Sequence, residues 1–178
     1  MKKRIALTFA ALAALATASS TSSAQSTKPV SLGISAGAAI PVSDLGNDYN
    51  TGYNITASLG FNSYGSPVGF RVDGMYNSMS AQNGVNLPDV KISSANANLV
   101  YALPGTGIRP YLIGGAGIYG LKRDLAGAST TTKLGLNGGV GASFPLSGFN
   151  TFVEARLHHV YSDNVATQFI PVTFGISF

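Results

Sequence analysis

The sequence predicts an all-β fold, an eight-stranded antiparallel up-and-down transmembrane β-barrel that begins after a cleaved signal peptide. Three observations point there. Eight segments of about ten residues alternate apolar with small or polar side chains. The connections between them alternate in length, as periplasmic turns and extracellular loops do. Only 10% of the 178 residues are charged while 45% are hydrophobic. An ordinary soluble domain carries about 25% charged residues, so most of this surface is expected not to face water.

The first element is the leader. Lys2, Lys3 and Arg4 precede the apolar run from Ile5 to Ala16, and Ser22, Ser23 and Ala24 offer small residues for cleavage before Gln25. Residues 1–24 are therefore expected to be a signal peptide and residues 25–178 the barrel domain. The apolar run is shorter than the roughly 20 residues a spanning helix needs, and no later stretch approaches that length. Removing the leader leaves eight basic against seven acidic side chains, so the basic balance belongs to the leader. The remaining cations are scattered and form no basic face, and no nucleic-acid partner is expected. With no cysteine there is neither a disulfide nor a lipid-modified N-terminal thiol.

Strand one places Val30, Leu32, Ile34, Ala36 and Ala38 on one face and Ser31, Gly33, Ser35 and Gly37 on the other. In strand two Tyr53, Ile55, Ala57, Leu59 and Phe61 oppose Asn54, Thr56, Ser58 and Gly60. In strand three Val68, Phe70, Val72 and Tyr76 oppose Gly69, Arg71, Asp73 and Asn77. In strand four Ala95, Ala97, Leu99, Tyr101 and Leu103 oppose Ser94, Asn96 and Asn98, ahead of the turn from Pro104 to Gly107. Strand five, Arg109 to Lys122, leaves its facing open, because Tyr111, Ile113 and Tyr119 compete with Leu112, Ala116 and Ile118. Strand six sets Leu134, Leu136, Val140, Ala142 and Phe144 against Gly135, Asn137, Gly139, Gly141 and Ser143. Strands seven and eight are Asn150 to Val160 and Gln168 to Phe178.

Segments of this length cross a bilayer when tilted, an even strand count suits a single-chain outer-membrane barrel, and closure removes the sheet edges. Aromatic residues fall toward both strand ends, as two interfacial girdles would require. Tyr53, Tyr76, Tyr119, Tyr161 and Phe169 are placed at the outer ends, and Phe61, Phe70, Tyr101, Tyr111, Phe144, Phe152 and Phe178 at the inner ends.

Charges then fix what faces the lumen. Arg71 and Asp73 share a strand face by parity, as do Glu154 and Arg156. A Lys or Arg on the lipid face near midplane costs about 2–4 kcal/mol, so all four are expected inside, with Phe152 carried inward by the same parity. Strands three and seven lie opposite each other in an eight-membered ring. The two pairs should meet across the lumen as a structural network of compensated charge. The remaining inward residues are Gly, Ser, Asn, Thr and Ala, which leaves open whether the lumen packs tightly or conducts small solutes.

The stretches VGFRVDGMYN, RPYLIGGAGIYG, TKLGLNGGVGASFPL and FVEARLHH, with the closing FIPVTFGISF, resemble the outer-membrane β-barrel domain family. Its better-known relatives are the small OmpA/OmpX-type eight-stranded barrels. The resemblance covers nearly the whole mature chain and implies a bacterial outer-membrane address, reached through the periplasm with the barrel-assembly machinery as a partner. Phe174, Ile176 and Phe178 resemble the C-terminal aromatic signal by which such barrels are recognised for insertion. Unlike longer OmpA-type proteins, the chain is expected to lack a periplasmic peptidoglycan-binding domain. A monomer is expected.

No catalytic, cofactor or metal site is expected. The stretch HHVYSDN, residues 158–164, superficially resembles a lipid A deacylase site, but His159 and Ser162 are three apart and fall on opposite faces of an extended strand. His158 and Ser162 share parity but are four apart. The histidines are better placed in the girdle and the lumen. A lipid A palmitoyltransferase would resemble a barrel preceded by an amphipathic helix, which Gln25 to Pro29 cannot supply. GGAG (114–117) and GGVG (138–141) precede no helix and carry no phosphate-binding lysine. Asp44, Asp48, Asp89, Asp124 and Asp163 are too widely spaced for a calcium loop.

Lys91, Lys122, Arg123 and Lys133 gather at the outer ends of strands four to six, where they could pair with phosphates of outer-membrane lipids and lipopolysaccharide. The leading functional expectation is a non-enzymatic outer-membrane barrel for envelope integrity or surface interaction. A small-solute porin is the first alternative. A soluble lipocalin-like ligand-binding barrel, with its apolar face inward, or a lipid A-modifying barrel enzyme is the second.

Overall fold

A computed structural model describes residues 29–63, 65–84, 87–104, 107–124, 127, 129–162 and 166–178. The expected signal peptide, residues 1–24, lies outside them, as do Gly105 and Thr106 of the turn after strand four and Asp163 and Asn164 of the HHVYSDN stretch.

Eight antiparallel strands form one closed barrel in sequence order. They are β1 (Val30–Val42), β2 (Gly52–Asn62), β3 (Val68–Met79), β4 (Val90–Ala102), β5 (Arg109–Arg123), β6 (Thr131–Pro145), β7 (Asn150–Val160) and β8 (Thr167–Ser177). A five-residue helix, α1 (Asp44–Asp48), occupies the first long loop. The seam is β1 against β8, paired from Gly33 and Ser177 to Val42 and Gln168. Between β6 and β7 the chain turns tightly: Leu146 N–H donates to the Phe149 carbonyl at 2.8 Å, and Gly148 takes φ 96°, a left-handed conformation open to glycine at little cost.

The register sets the barrel's shape. From Leu32 the pairing runs through Leu59, Val72, Ala97, Ala116, Leu136, His159 and Gln168 and returns to β1 at Val42. One circuit therefore climbs ten residues, a shear of 10 for eight strands. Strand count and shear together fix a tilt of roughly 40° and an interior that side chains can fill.

The faces follow the alternation. Leu99 and Leu134 are 62% and 66% exposed, and Ile34, Ile55, Val140 and Phe174 stand out on the same wall. A continuous apolar exterior of this kind needs lipid around it. Apolar-out facing also disposes of the lipocalin-like alternative. β5 resolves in favour of Leu112, Ala116 and Ile118 outside, with Tyr111, Ile113 and Tyr119 buried inside.

Toward the outer ends the polarity inverts. Met79, Val90, Ile92, Tyr119, Val160 and Phe169 form a buried apolar plug with Ala39 and with Tyr49, packed beneath Leu45 of α1. Ser78, Lys91, Lys122 and Gln168 take the exterior there by strand parity. The cause is the change of solvent. β5 and β6 run 15 residues each, beyond the 9–11 that span a bilayer, so their upper turns stand in water and bury apolar side chains like a soluble core.

This inversion corrects the expected girdles and the expected lumen. Tyr119 and Phe169 are fully buried in the plug, and Tyr111 also lies inside, as does Phe152, in keeping with its parity. Tyr53 and Tyr161 at the outer ends and Phe61, Phe70, Tyr101 and Phe178 at the inner ends are exposed. Pro171 lacks a backbone N–H to donate, yet it introduces no bulge. The β7–β8 register holds from Ala155 and Val172 to His158 and Phe169, and only the two intervening rungs are unpaired. Pro171 still faces Ala39 of β1 in register.

Candidate functional site

The site begins with four charged side chains on two opposed strands. Arg71 and Asp73 of β3 and Glu154 and Arg156 of β7 meet in mid-lumen. An Arg71 terminal nitrogen donates to Glu154 Oε1 at 2.8 Å, and an Arg156 terminal nitrogen donates to Asp73 Oδ2 at 2.6 Å. Arg156 Nε lies 2.8 Å from Glu154 Oε1. Arg71 Nε and Asp73 Oδ1 are 3.0 Å apart, an ion pair too bent to count as a hydrogen bond. Two guanidiniums and two carboxylates leave no net charge.

Two residues outside the expected set complete the network. Tyr111 Oη donates to Glu154 Oε2 at 2.7 Å, and Asn98 Nδ2 donates to Asp73 Oδ2 at 2.9 Å. Tyr111 was hidden by the double apolar pattern of β5. A usable signal was β6, whose Gly141 pairs with Tyr111 and leaves room for its ring. Asp73 and Arg156 side chains are 0% and 3% exposed, so an uncompensated partner would be costly.

Above the network lies a mixed layer. His158 stacks on Phe169 with ring centroids 4.9 Å apart, and its Nδ1 shares a 2.8 Å hydrogen bond with Tyr119 Oη. Asn54 donates to Asn77, and Thr56 to Asn54. His158 Nε2, Asn96 Oδ1 and the Asn137 amide are buried without a protein hydrogen bond, surroundings in which ordered water is commonly retained. The apolar plug closes the outer side.

Neither imidazole contacts a serine hydroxyl among the described residues. His158 faces the lumen, fully buried. His159 faces outward, with Gln168 Nε2 at 2.8 Å from its Nδ1 and Tyr161 edge-on at 5.0 Å. Ser43 Oγ donates to Gln168 Oε1 at 2.7 Å, so an amide separates this hydroxyl from the imidazole, and an amide is no general base. No group of three or more His, Cys, Asp or Glu capable of holding a metal occurs among the described residues.

The four expected lipid contacts divide by parity. Lys91 and Lys122 are cross-strand neighbours on the exterior of β4 and β5. Lys91 Nζ pairs with Asp124 at 2.7 Å. Arg123 and Lys133 sit on the opposite parity, at the lumen mouth, where Arg123 pairs in register with Val90 and Lys133 with Tyr119. Burial pushes the Tyr49 phenol above its ordinary value, and the nearby Arg123 charge opposes that shift.

A closed, tilted eight-stranded barrel with an apolar outer wall and a charged, side-chain-filled lumen defines a small outer-membrane β-barrel protein. The chain belongs to the outer membrane protein beta-barrel domain family, whose model matches residues 8–178. No curated protein matches it. Among solved structures, Neisserial surface protein A (NspA) is 20% identical with a TM-score of 0.70, covering 86% of this chain and 98% of its own. The outer membrane enzyme PagL is 16% identical with a TM-score of 0.53, covering 83% and 98%. Ail of Yersinia pestis, in complex with the heparin analogue sucrose octasulfate, is 20% identical with a TM-score of 0.51, covering 84% and 97%. At these identities the likeness is one of fold. The protein is located in the bacterial outer membrane.

Proposed function

We propose that this protein is a non-enzymatic outer-membrane barrel that serves envelope integrity or surface interaction, with its lumen closed by its own side chains. One observation carries the reading: the interior is occupied in sequence by the Arg71–Asp73–Glu154–Arg156 network, the His158 layer and the plug around Ile92 and Phe169. Such a barrel is a rigid post, and its working surfaces are its loops and outer rim. Lys91 and Lys122 would contact lipopolysaccharide, and Arg123 and Lys133 would face surface ligands. The polyanion bound by Ail is consistent with a surface role for such rim cations. Phe174, Ile176 and Phe178 would present the assembly signal to the barrel-assembly machinery.

The likeness to PagL keeps an enzymatic reading in view, but the buried His158 and the amide between Ser43 and His159 favour the non-enzymatic one. The test is a deletion strain scored for detergent and antibiotic sensitivity, beside planar-bilayer recording and lipid A mass analysis of the purified barrel. Increased sensitivity, no conductance and unaltered lipid A are expected. Discrete conductance steps would replace the reading with a porin, and loss of acyl chains from lipid A with an enzyme.

A further inference from the structure

The outer wall carries a groove directly below the exterior lysine pair. Its volume is about 560 Å³, and its floor is built from small side chains, Ala95 and Ala97 of β4 and Ala116 of β5. Its banks are Val72 on β3 and Ile118, Leu134 and Leu136 on β5 and β6. Flanked by these large side chains the exterior is concave here; a second, smaller concavity of about 440 Å³ lies lower on the wall between Leu112, Val140 and Val153, away from the lysines.

Register aligns groove and cations. Lys91 pairs with Lys122, Ser93 with Gly120, Ala95 with Ile118 and Ala97 with Ala116, so along β4 the small residues Ser93, Ala95 and Ala97 lead from the rim into the groove, with Ile118 as its bank. Four residues of strand separate Lys91 from Ala95, about 13 Å along the chain. Two ammonium groups directly opposite on neighbouring strands repel each other. One carboxylate, Asp124, stands against the two. Tyr53 and Tyr76 lie on the same exterior face, their rings 6.1 Å apart, and offer amphipathic surface at headgroup level. An anion above and an alkyl chain below is the complement of this surface.

We infer that β3–β6 form a binding site for a phosphorylated glycolipid of the outer leaflet, its phosphate between Lys91 and Lys122 and one acyl chain along Ala95, Ala97 and Ala116. The inference rests on the proposed lipopolysaccharide contact and deepens it: it selects Lys91 and Lys122, excludes Arg123 and Lys133, and adds an acyl groove.

The experiment is native mass spectrometry of the full barrel, folded as judged by heat-modified gel mobility, with purified lipopolysaccharide, its dephosphorylated form, or phosphatidylglycerol. The wild type should retain one lipopolysaccharide. K91Q/K122Q should weaken retention roughly thirtyfold, the scale expected for removing two cations at a charged lipid surface. A116F, which fills the groove from the lipid side, should also weaken it. If A116F does not assemble, A97L applies the same test with a smaller side chain. Unchanged retention in either arm overturns the inference, as does equal retention of the dephosphorylated form or of phosphatidylglycerol. Envelope sensitivity in the deletion strain is scored separately, so a barrel that serves the envelope without this lipid would be recognised as such.

Discussion

Arg71 of β3 and Glu154 of β7, 83 residues apart in sequence, meet at 2.8 Å across the lumen. This contact joins opposite walls of the barrel, whereas every backbone ladder joins only neighbours. It follows from parity and an eight-membered ring, both of which follow from the strand pattern.

Removing one member strands the others. Glu154→Ala leaves Arg71 and Arg156 facing Asp73 alone and takes the acceptor from Tyr111. A loss of about 3–5 kcal/mol is expected, measured as a lower urea midpoint in lipid vesicles and a lower temperature for the gel-mobility shift. A double-mutant cycle with Arg71→Ala should give a large coupling energy. Additive losses would mean that the two groups do not interact across the lumen.

The Tyr111 ring lies over Gly141, and a Cβ placed there would clash with the ring's Cζ and Oη. Gly141→Ala should therefore displace Tyr111 from Glu154, at about 1–3 kcal/mol, the usual cost of overfilling a packed interior. Tyr111→Leu in the Gly141→Ala background should recover part of that loss. If the alanine variant matches the wild type in urea, the ring is not confined as described.

Much of this was legible in the residues. Strands such as β2, β4 and β6 alternate cleanly because lipid and lumen impose opposite polarities on successive side chains, and Arg71, Asp73, Glu154 and Arg156 could occupy only one face. Legibility failed where the solvent changes. Above the hydrocarbon the inner face becomes the apolar one, so Tyr119 and Phe169 resembled girdle residues while packing in the plug. Phe169 shares parity with Thr173 and Gly175, a signal that outweighs its aromatic character. Tyr111 and Asn98 could be assigned to the ion network only through register across β3, β4, β5 and β6, which a single strand does not encode.

Asp124, in the loop after β5, is held below the ordinary carboxylate range, first by the hydrogen bond from Lys91 and then by its charge. A depressed carboxyl keeps its pairing above the unfolded value and loses it as pH falls through the folded one. Both groups are exposed, so stability should change little. What changes is the availability of Lys91. Binding of a sulfated polyanion, whose charge does not titrate, should strengthen on acidification in the wild type. In Asp124→Asn it should be stronger at neutral pH and nearly flat with pH. Parallel pH curves for the two proteins would show that Asp124 does not restrain the lysine.

Phe178 faces outward at the inner end of the closing strand, and its backbone is paired with Leu32. Leu32 N–H donates to the Phe178 carbonyl at 3.1 Å, and Phe178 N–H donates to the Leu32 carbonyl at 2.8 Å. Its ring lies 6.1 Å from that of Phe149. In the finished barrel this amounts to two hydrogen bonds and a partly exposed ring at the membrane boundary. Phe178→Ala keeps both hydrogen bonds and removes only the ring, so the stability of purified, refolded protein should fall by about 1 kcal/mol or less. If the ring is read during insertion, the yield of outer-membrane protein should fall far more than that difference accounts for, with unassembled chain accumulating in the periplasm. Phe174→Ala removes a lipid-facing ring higher on the same strand and separates the two effects. A yield that tracks refolded stability in both variants would assign Phe178 to packing alone, whereas a specific loss for Phe178→Ala would assign it to recognition.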